Sequence, residues 1–510
     1  MPADFATSGR PSLFAGLKTY GPYRPSLLLA LSLGLAGCAA LPSKTDPTPD
    51  LAIRAAFLAE ATTGSPWWQG FKDPTLDQLE QRALQNNLTL QQAVERIVQS
   101  RQSVKIANAS LLPSLSAEGS VQRGAFSAYG ADVAAGASPQ TADVWDLGVQ
   151  TSWEADLFGR ARNTKQSARM QALSAEDEMR GAMLALTAEV ASTYIQLRAA
   201  QQDVVTIRET LDVANHAVRI ARARVDNGIS SDKDIASSRA QLADVQALLP
   251  RAEAKSTQLM NSLAALLGQP PHALDTLLGK GGRIPTLTHT PPSGLPSDLA
   301  LKRPDVHAAD ANLHAAISQR QAAKADFYPS FSISARAGKQ AFDLSDFDAW
   351  NARYFGIGPT VSLPIFSGGK IVANYELSRS RERAAASAYQ ETLIRAWEEI
   401  ANAMTSERKE RQRLSYLRQS VTYYQAELHS AERNYEEGLT EYLPQLVAQR
   451  DVLTSRRALT EGQASASIAA VNLFRAIGGD YRQHPPLASA QAQTKGQQPA
   501  RSGAKTGADK

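Results

Sequence analysis

Between Gly159 and Gly228 the chain carries no proline and only Gly181, and between Gly369 and Gly438 it carries neither glycine nor proline. Stretches this free of breakers predict two continuous helices, each about 100 Å long at 1.5 Å per residue. Within the first, apolar positions recur in steps of four and three: Leu186, Val190, Thr193, Leu197, Ala200, Val204, Ile207, Leu211, Ala214, Val218, Ala221 and Val225. That is a sustained heptad seam, the pattern of a helix supercoiled against neighbours. Leu414, Leu417, Val421, Tyr424, Leu428, Ala431 and Tyr435 continue the same logic in the second stretch.

Each long helix ends at a similar turn. VDNGISS (225–231) and YEEGLTE (435–441) place a glycine where the helix must reverse, followed by a small hydroxyl residue suited to capping the next helix. The return helices run to LLG (266–268) and AIG (476–478). Gly228 and Gly438 are 210 residues apart, as are Gly268 and Gly478. LLPSLS (111–116) is echoed by FYPSFS (327–332), and LFG (157–159) by IFSG (365–368). The chain reads as an internal duplication of units of roughly 200 residues.

A second period lies inside each unit. In VWDLGVQTSWEADL (144–157), Trp145, Leu147, Val149, Thr151, Trp153, Ala155 and Leu157 alternate with Asp146, Gly148, Gln150, Ser152, Glu154 and Asp156. That alternation predicts a strand with one oily and one wet face. FYPSFSISARAG (327–338) and YFGIGPTVSLPI (354–365) alternate likewise, and 111–126 is a weaker fourth. At about 12 residues each, these strands are long enough to cross a bilayer when tilted. Trp145 and Trp153, about 26 Å apart along one oily face, match the aromatic edges of a lipid-facing band. Four strands cannot close a barrel, and hydrocarbon tolerates no open sheet edge, so several chains must contribute to one barrel. The loops 126–143 and 339–353 then face away from the cell.

The N-terminus adds a destination. Leu27–Ala36 is an apolar run preceded by Arg10, Lys18 and Arg24, which suits a secretory signal and is too short for a membrane-spanning helix. Leu35-Ala36-Gly37-Cys38 resembles a bacterial lipobox, and Cys38 is the only cysteine of the chain. The resemblance implies cleavage before Cys38 and a covalent lipid on it; Ala39 and Ala40 favour the outer membrane. Apolar content of 43% and a net charge of +4 fit a folded chain, the charge owing something to a basic tail. No basic-aromatic nucleic-acid motif is visible. The seven histidines are scattered without metal-ligand spacing, LLGKGGR (277–283) lacks the ending of a phosphate-binding loop, and no nucleophile elbow occurs. No enzyme is expected, and no cofactor beyond the lipid.

WWQGFKDPTLDQLEQRALQNN (67–87), LKRPDVHAADANLHAA (301–316), KADFYPSFSI (324–333) and NYEEGLTEYLPQLVAQRDVL (434–453) together resemble the TolC-type outer-membrane efflux proteins, nearest to the lipidated NodT-type members that serve resistance-nodulation-division pumps. The resemblance covers about residues 60–480. It implies a mixed α and β membrane protein: a homotrimer whose 12-stranded β-barrel, four strands per chain, continues into a 12-helix periplasmic α-barrel. It also implies docking to a periplasmic adaptor and an inner-membrane transporter, with no nucleic-acid partner. On this likeness Gly228, Ile229, Ser230, Gly438, Leu439 and Thr440 form the periplasmic tips. Asp226, Asp232, Asp234, Glu436, Glu437 and Glu441 are the acids available to a tip gate, and Thr440 stands where some relatives carry aspartate. The expected organisation is a signal peptide (1–37), a lipidated linker (38–65), a first repeat (66–285), a second repeat (286–484) and a disordered tail (485–510). The expected strands are 111–126, 144–157, 327–338 and 354–366. The expected function is passive exit of small molecules from a tripartite pump. The alternatives are a lipidated coiled-coil adaptor or envelope protein, and the exit duct of a type I protein secretion system.

Overall fold

The computed structural model describes residues 51–62, 66–126, 140–287 and 299–479, all within the unit Asp50–Lys510. In chain order the elements are α1 (Leu51–Thr62), α2 (Pro74–Asn86), α3 (Leu88–Ala109), β1 (Ser114–Phe126), β2 (Gln140–Ala155), α4 (Arg160–Asp226), α5 (Asp232–Leu266), the single turn α6 (Asp275–Leu278), α7 (Pro304–Ala325), β3 (Ser330–Ala341), β4 (Arg353–Ser362), α8 (Lys370–Glu436) and α9 (Leu443–Ala476). The signal segment, Cys38 and the tail 485–510 lie outside the described residues.

The two breaker-free stretches are α4 and α8, 67 residues each. Each begins after a glycine with φ 83°, Gly159 or Gly369. Each ends in the same double hydrogen bond. Ile229 N–H donates to Arg224 C=O (2.8 Å) and Gly228 N–H to Val225 C=O (2.9 Å); Leu439 and Gly438 do the same to Asn434 (2.8 Å) and Tyr435 (3.1 Å). This is the Schellman closure, and the left-handed φ of 71° and 72° at Gly228 and Gly438 is what makes glycine the residue there. The hydroxyl caps expected after these turns do not form. Ser231 precedes α5 without a side-chain cap bond, and Tyr442, not Thr440, precedes α9. Asp232 and Asp234 in the first turn of α5 and a proline in the first turn of α9 serve those ends instead.

The heptad seam packs as its spacing requires. Leu186, Val190, Leu197, Val204, Ile207, Ala214 and Ala221 are buried, and Ala200, Leu211, Val218 and Val225 half-buried. The largest apolar cluster joins α1, α2, α3, the middle of α4, the end of α5 and part of α9 around Trp67, Trp68, Phe71, Tyr194 and Leu263. Smaller clusters follow the helices outward, ending at Ala217, Tyr442 and Leu446 beside the tip. Within the stretch 38–65 expected as linker, α1 is helical and buries Ile53 and Phe57 in the main cluster. Its apolar residues at i and i+4 gain more by packing than an extended spacer would.

The two repeats close their helix ends by different chemistry. Asn87, before α3, accepts from Leu90 N–H (3.1 Å) through Oδ1 while its Nδ2 donates to Leu266 C=O (2.9 Å), at the end of α5. Arg303, before α7, donates through Nη1 to Ala476 C=O (2.9 Å), at the end of α9. Its remaining donors hold Asp305 (2.8 Å) and Glu399 (2.6 Å). Those carboxylates outweigh the cost of burial and raise the Arg303 pKa. A carbonyl that ends one helix is thus satisfied by the residue that starts another.

Candidate functional site

The four strands form one antiparallel sheet in the order β1-β2-β3-β4. Register extends the alternation of each strand into two continuous faces. Trp145 lies between Val121 and Ala341, Val149 between Ala117 and Ala337, and Trp153 opposite Ile333, which faces Pro359. On that side Leu115, Val121, Phe355 (88% exposed) and Ile357 (77%) stand open and Val149 and Ile333 are about half exposed, with no helix among the described residues packed over the face. A soluble sheet buries such a face; one turned to lipid leaves it open. No helix among the described residues is long and apolar enough to cross a membrane.

Strand limits differ from the alternation at both ends. Leu111 and Leu112 belong to the turn that ends α3, and Phe327 and Tyr328 to the turn that ends α7, so pairing starts only after Pro113 and Pro329. β2 begins at Gln140 and β3 continues to Ala341, because register with their neighbours holds beyond the visible alternation. β4 stops at Ser362, with Pro364 two residues on; Leu363 and Ile365 therefore lie outside the strand. Between β3 and β4 the connection 342–352 carries two short 3-10 turns.

The opposite face is polar. Gln150 Nε2 donates to Glu118 Oε1 across strands (2.8 Å), and Tyr354 Oη donates to Asp146 Oδ1 (3.3 Å) from two strands away. The Tyr354 phenol reaches over Gly338 of β3 and Gly148 of β2. A Cβ on Gly148 or Gly338 would come within 2.4 or 2.7 Å of its Oη. Arg336 stands over the same ring at 5.9 Å. This strap joining β4 to β2 was not visible in the sequence; the signal available was a glycine on each of two adjacent strands, Gly148 opposite Gly338, on the polar face.

Of the expected girdle, Trp153 donates through Nε1 to Leu111 C=O (3.0 Å) at the helix-side edge, and Trp145 sits half-buried near the loop-side edge. At the helix turns, Ile229 (64% exposed) and Leu439 (69%) stand in equivalent positions, both open to solvent. Asp226, Asp232, Glu436, Glu437, Glu441 and Thr440 are exposed; Asp234 and Ser230 are half-buried, the Ser230 hydroxyl without a partner among the described residues. Among the described residues none of the six acids joins an ion pair. What the tip does contain is a tilted aromatic pair that the sequence did not single out. Tyr435 and Tyr442 lie 4.9 Å apart across the turn, with the Arg224 guanidinium 4.3 Å over Tyr435. Burial, then the neighbouring Tyr435, push the Tyr442 phenol up to about 12. Two tyrosines seven residues apart around one turn were the available signal.

Comparison with known proteins follows the same division. The family model for outer membrane efflux proteins matches residues 79–269 and 295–479. The chain is 30% identical over 462 residues to the outer membrane protein OprJ of Pseudomonas aeruginosa, covering 89% of this chain and 95% of that one. It is 30% identical over 472 residues to the toluene efflux pump outer membrane protein TtgC of Pseudomonas putida, covering 90% and 96%. Among solved structures, the outer-membrane channel OprN superposes with a TM-score of 0.77 at 28% identity, covering 86% of this chain and 98% of that one. VceC of Vibrio cholerae superposes at 0.75 and 28%, covering 82% and 100%. These neighbours are trimeric channels, and the fold here is that of one protomer, whose four strands and long helices contribute to a shared β-barrel and periplasmic α-barrel. An anchored coiled-coil adaptor would have no use for the four-stranded sheet. With its helix hairpins, strand tetrad and duplicated turns all matched, the chain belongs to the outer membrane efflux protein family.

Proposed function

We propose that this outer-membrane efflux channel is the exit duct of a tripartite pump, joined at its tips to a periplasmic adaptor of the membrane-fusion type and through it to an inner-membrane resistance-nodulation-division transporter. Small molecules pass through the polar lumen without any bond being made or broken, and the transporter supplies the energy. The observation that carries this reading is the pair of equivalent glycine turns, each presenting an apolar side chain, Ile229 or Leu439, to solvent at the helix ends remote from the sheet. Such side chains at chain reversals suit a protein partner. The acids around them, Asp226, Asp232, Asp234, Glu436, Glu437 and Glu441, would repel one another when repeated threefold, so opening and closing the tip would be sensitive to what pairs them. TtgC is named for toluene, which supports apolar small molecules as the cargo class. A lipid on Cys38 would hold the mature N-terminus at the same membrane, with Trp145 and Trp153 at the two edges of the lipid-facing band.

The test pairs conduction with export. Ile229→Asp combined with Leu439→Asp is expected to leave single-channel conductance in planar bilayers unchanged and to reduce cellular resistance to that of a strain lacking the channel. Full resistance in the double variant would remove the tips from docking. A wild-type protein that forms no channel would overturn the duct itself.

A further inference from the structure

On the outward side of the sheet, at the end away from the helices, the apolar face stops at basic residues. Lys339 and Arg353 are directly opposed in register, a like-charge pair that is unfavourable on its own. Both occupy the lipid-facing parity, because Lys339 is in turn opposite Leu147. Lys339 Nζ lies 3.3 Å from Asp348 and 5.7 Å from the Phe347 ring. Arg353 stacks on Trp350 at 3.7 Å, and among the described residues no carboxylate reaches its guanidinium. The other loop aspartates are placed elsewhere: Asp343 accepts from Ser345 N–H (2.8 Å), and Asp346 is exposed within the first 3-10 turn. Trp350 is itself 75% exposed.

An unneutralised guanidinium held flat on an exposed indole, at the rim of a surface that faces lipid, has the chemistry of a headgroup site. The ring sits at the apolar–polar boundary, and the guanidinium offers paired donors to an oxyanion. The geometry points to a binding site for the phosphate of an outer-leaflet lipid, formed by Arg353, Lys339 and Trp350 at the mouth of the barrel. The site rests on the outer-membrane placement of the sheet and is continuous with its lipid-facing surface. Three copies in the trimer would fix the depth of the barrel and hold the β3–β4 connection down onto the membrane.

The test uses the full-length trimer in nanodiscs, with lipid A and its dephosphorylated form as probes, and reads retained lipid by native mass spectrometry. Wild-type protein is expected to retain lipid A and to hold the dephosphorylated form roughly tenfold more weakly, and Arg353→Gln with Lys339→Gln to abolish that preference. Trp350→Ala, which leaves both strands intact, is expected to weaken retention and decides the matter if the double variant fails to assemble. Equal retention of the two probes by wild type, or an unchanged preference in the variants, would overturn the site. Bilayer conductance recorded on the same samples separates that outcome from a failure of the channel reading, since a conducting trimer indifferent to the phosphate refutes only the lipid site.

Discussion

Glu80 is the most anomalous side chain in the helical body. It is 0% exposed, and neither carboxylate oxygen has a hydrogen-bond partner among the described residues. Burial, and secondarily the charge of Asp77, hold its pKa well above the ordinary 4.5, so the folded chain keeps it neutral where the unfolded chain would ionise it. The associated stability is therefore complete below about 4.5 and is lost as pH rises toward and through the raised value. Glu80→Gln, which keeps the shape and cannot ionise, is expected to melt higher than wild type at neutral pH and to show a smaller decline in Tm from pH 5 to pH 8, by calorimetry of the detergent-solubilised trimer. A wild-type Tm flat across that range would remove the argument. Nearby, Asp73 shows a carboxylate that is fully used: Oδ1 accepts from Thr75 and Leu76 N–H at the start of α2, and Oδ2 accepts from Tyr194 Oη (3.0 Å). The difference between the two acids lies in their partners: Asp-Pro at the start of DPTLDQLEQ marks Asp73 as a helix cap, whereas nothing there marks Glu80 as buried without a partner.

At the scale of the element, the four glycine-closed helix ends look equivalent in sequence and are not equivalent in cost. Gly228 and Gly438 have φ near 70° with open space where a Cβ would stand. Replacement by alanine there carries only the left-handed backbone penalty, about 1 kcal/mol. Gly268 has the same φ, 68°, but a Cβ would lie 2.6 Å from the Asn86 carbonyl oxygen. Gly268→Ala is therefore expected to cost about 1–3 kcal/mol more than Gly228→Ala, from overpacking against backbone that cannot give way. Chemical denaturation of the two variants side by side measures the difference, and equal midpoints would show that α5 can shift away from α2. The comparison also separates tip from body. The inner turns are fastened to neighbouring helices through Asn87 and Arg303, whereas the outer turns are free to meet a partner.

At the scale of the molecule, the second long helix is the clearest sign of assembly. α8 buries only Ser378, Ala396, Ile400, Leu414 and Val421 within the protomer, and leaves Val372, Ile394, Trp397, Tyr416 and Tyr423 exposed. α4, of identical length, buries far more of its surface, because α1 to α3 and α9 pack on it. In the trimeric fold the open side of α8 is where a neighbouring protomer belongs, and an exposed apolar row on a helix otherwise has little reason to persist. Ile394→Asp is expected to shift the protein from trimer to monomer on native gels while helix content by circular dichroism stays near wild type. A trimer unaffected by the charge would mean that this side of α8 faces solvent in the assembly.

Much of this architecture is determined by local rules that the sequence carries openly. The absence of breakers fixes the two 67-residue helices, the 210-residue offset fixes the duplication, and period-two alternation identifies the strands and their apolar side. Each of these depends on near neighbours in the chain: backbone propensity, a glycine at φ 71°, side chains that alternate about a pleat. What the tertiary structure alone decided depends on residues far apart in sequence. Strand limits shifted because pairing with a neighbour outlasts the visible alternation and stops at Pro364. Leu51–Thr62 became a helix because Ile53 and Phe57 find a core that only α2 and α4 complete. Tyr354 reaches Asp146, 208 residues away, only because two glycines leave the polar face bare between them. The cation row at the rim likewise exists only through register, since Lys339 and Arg353 become neighbours when β3 and β4 pair.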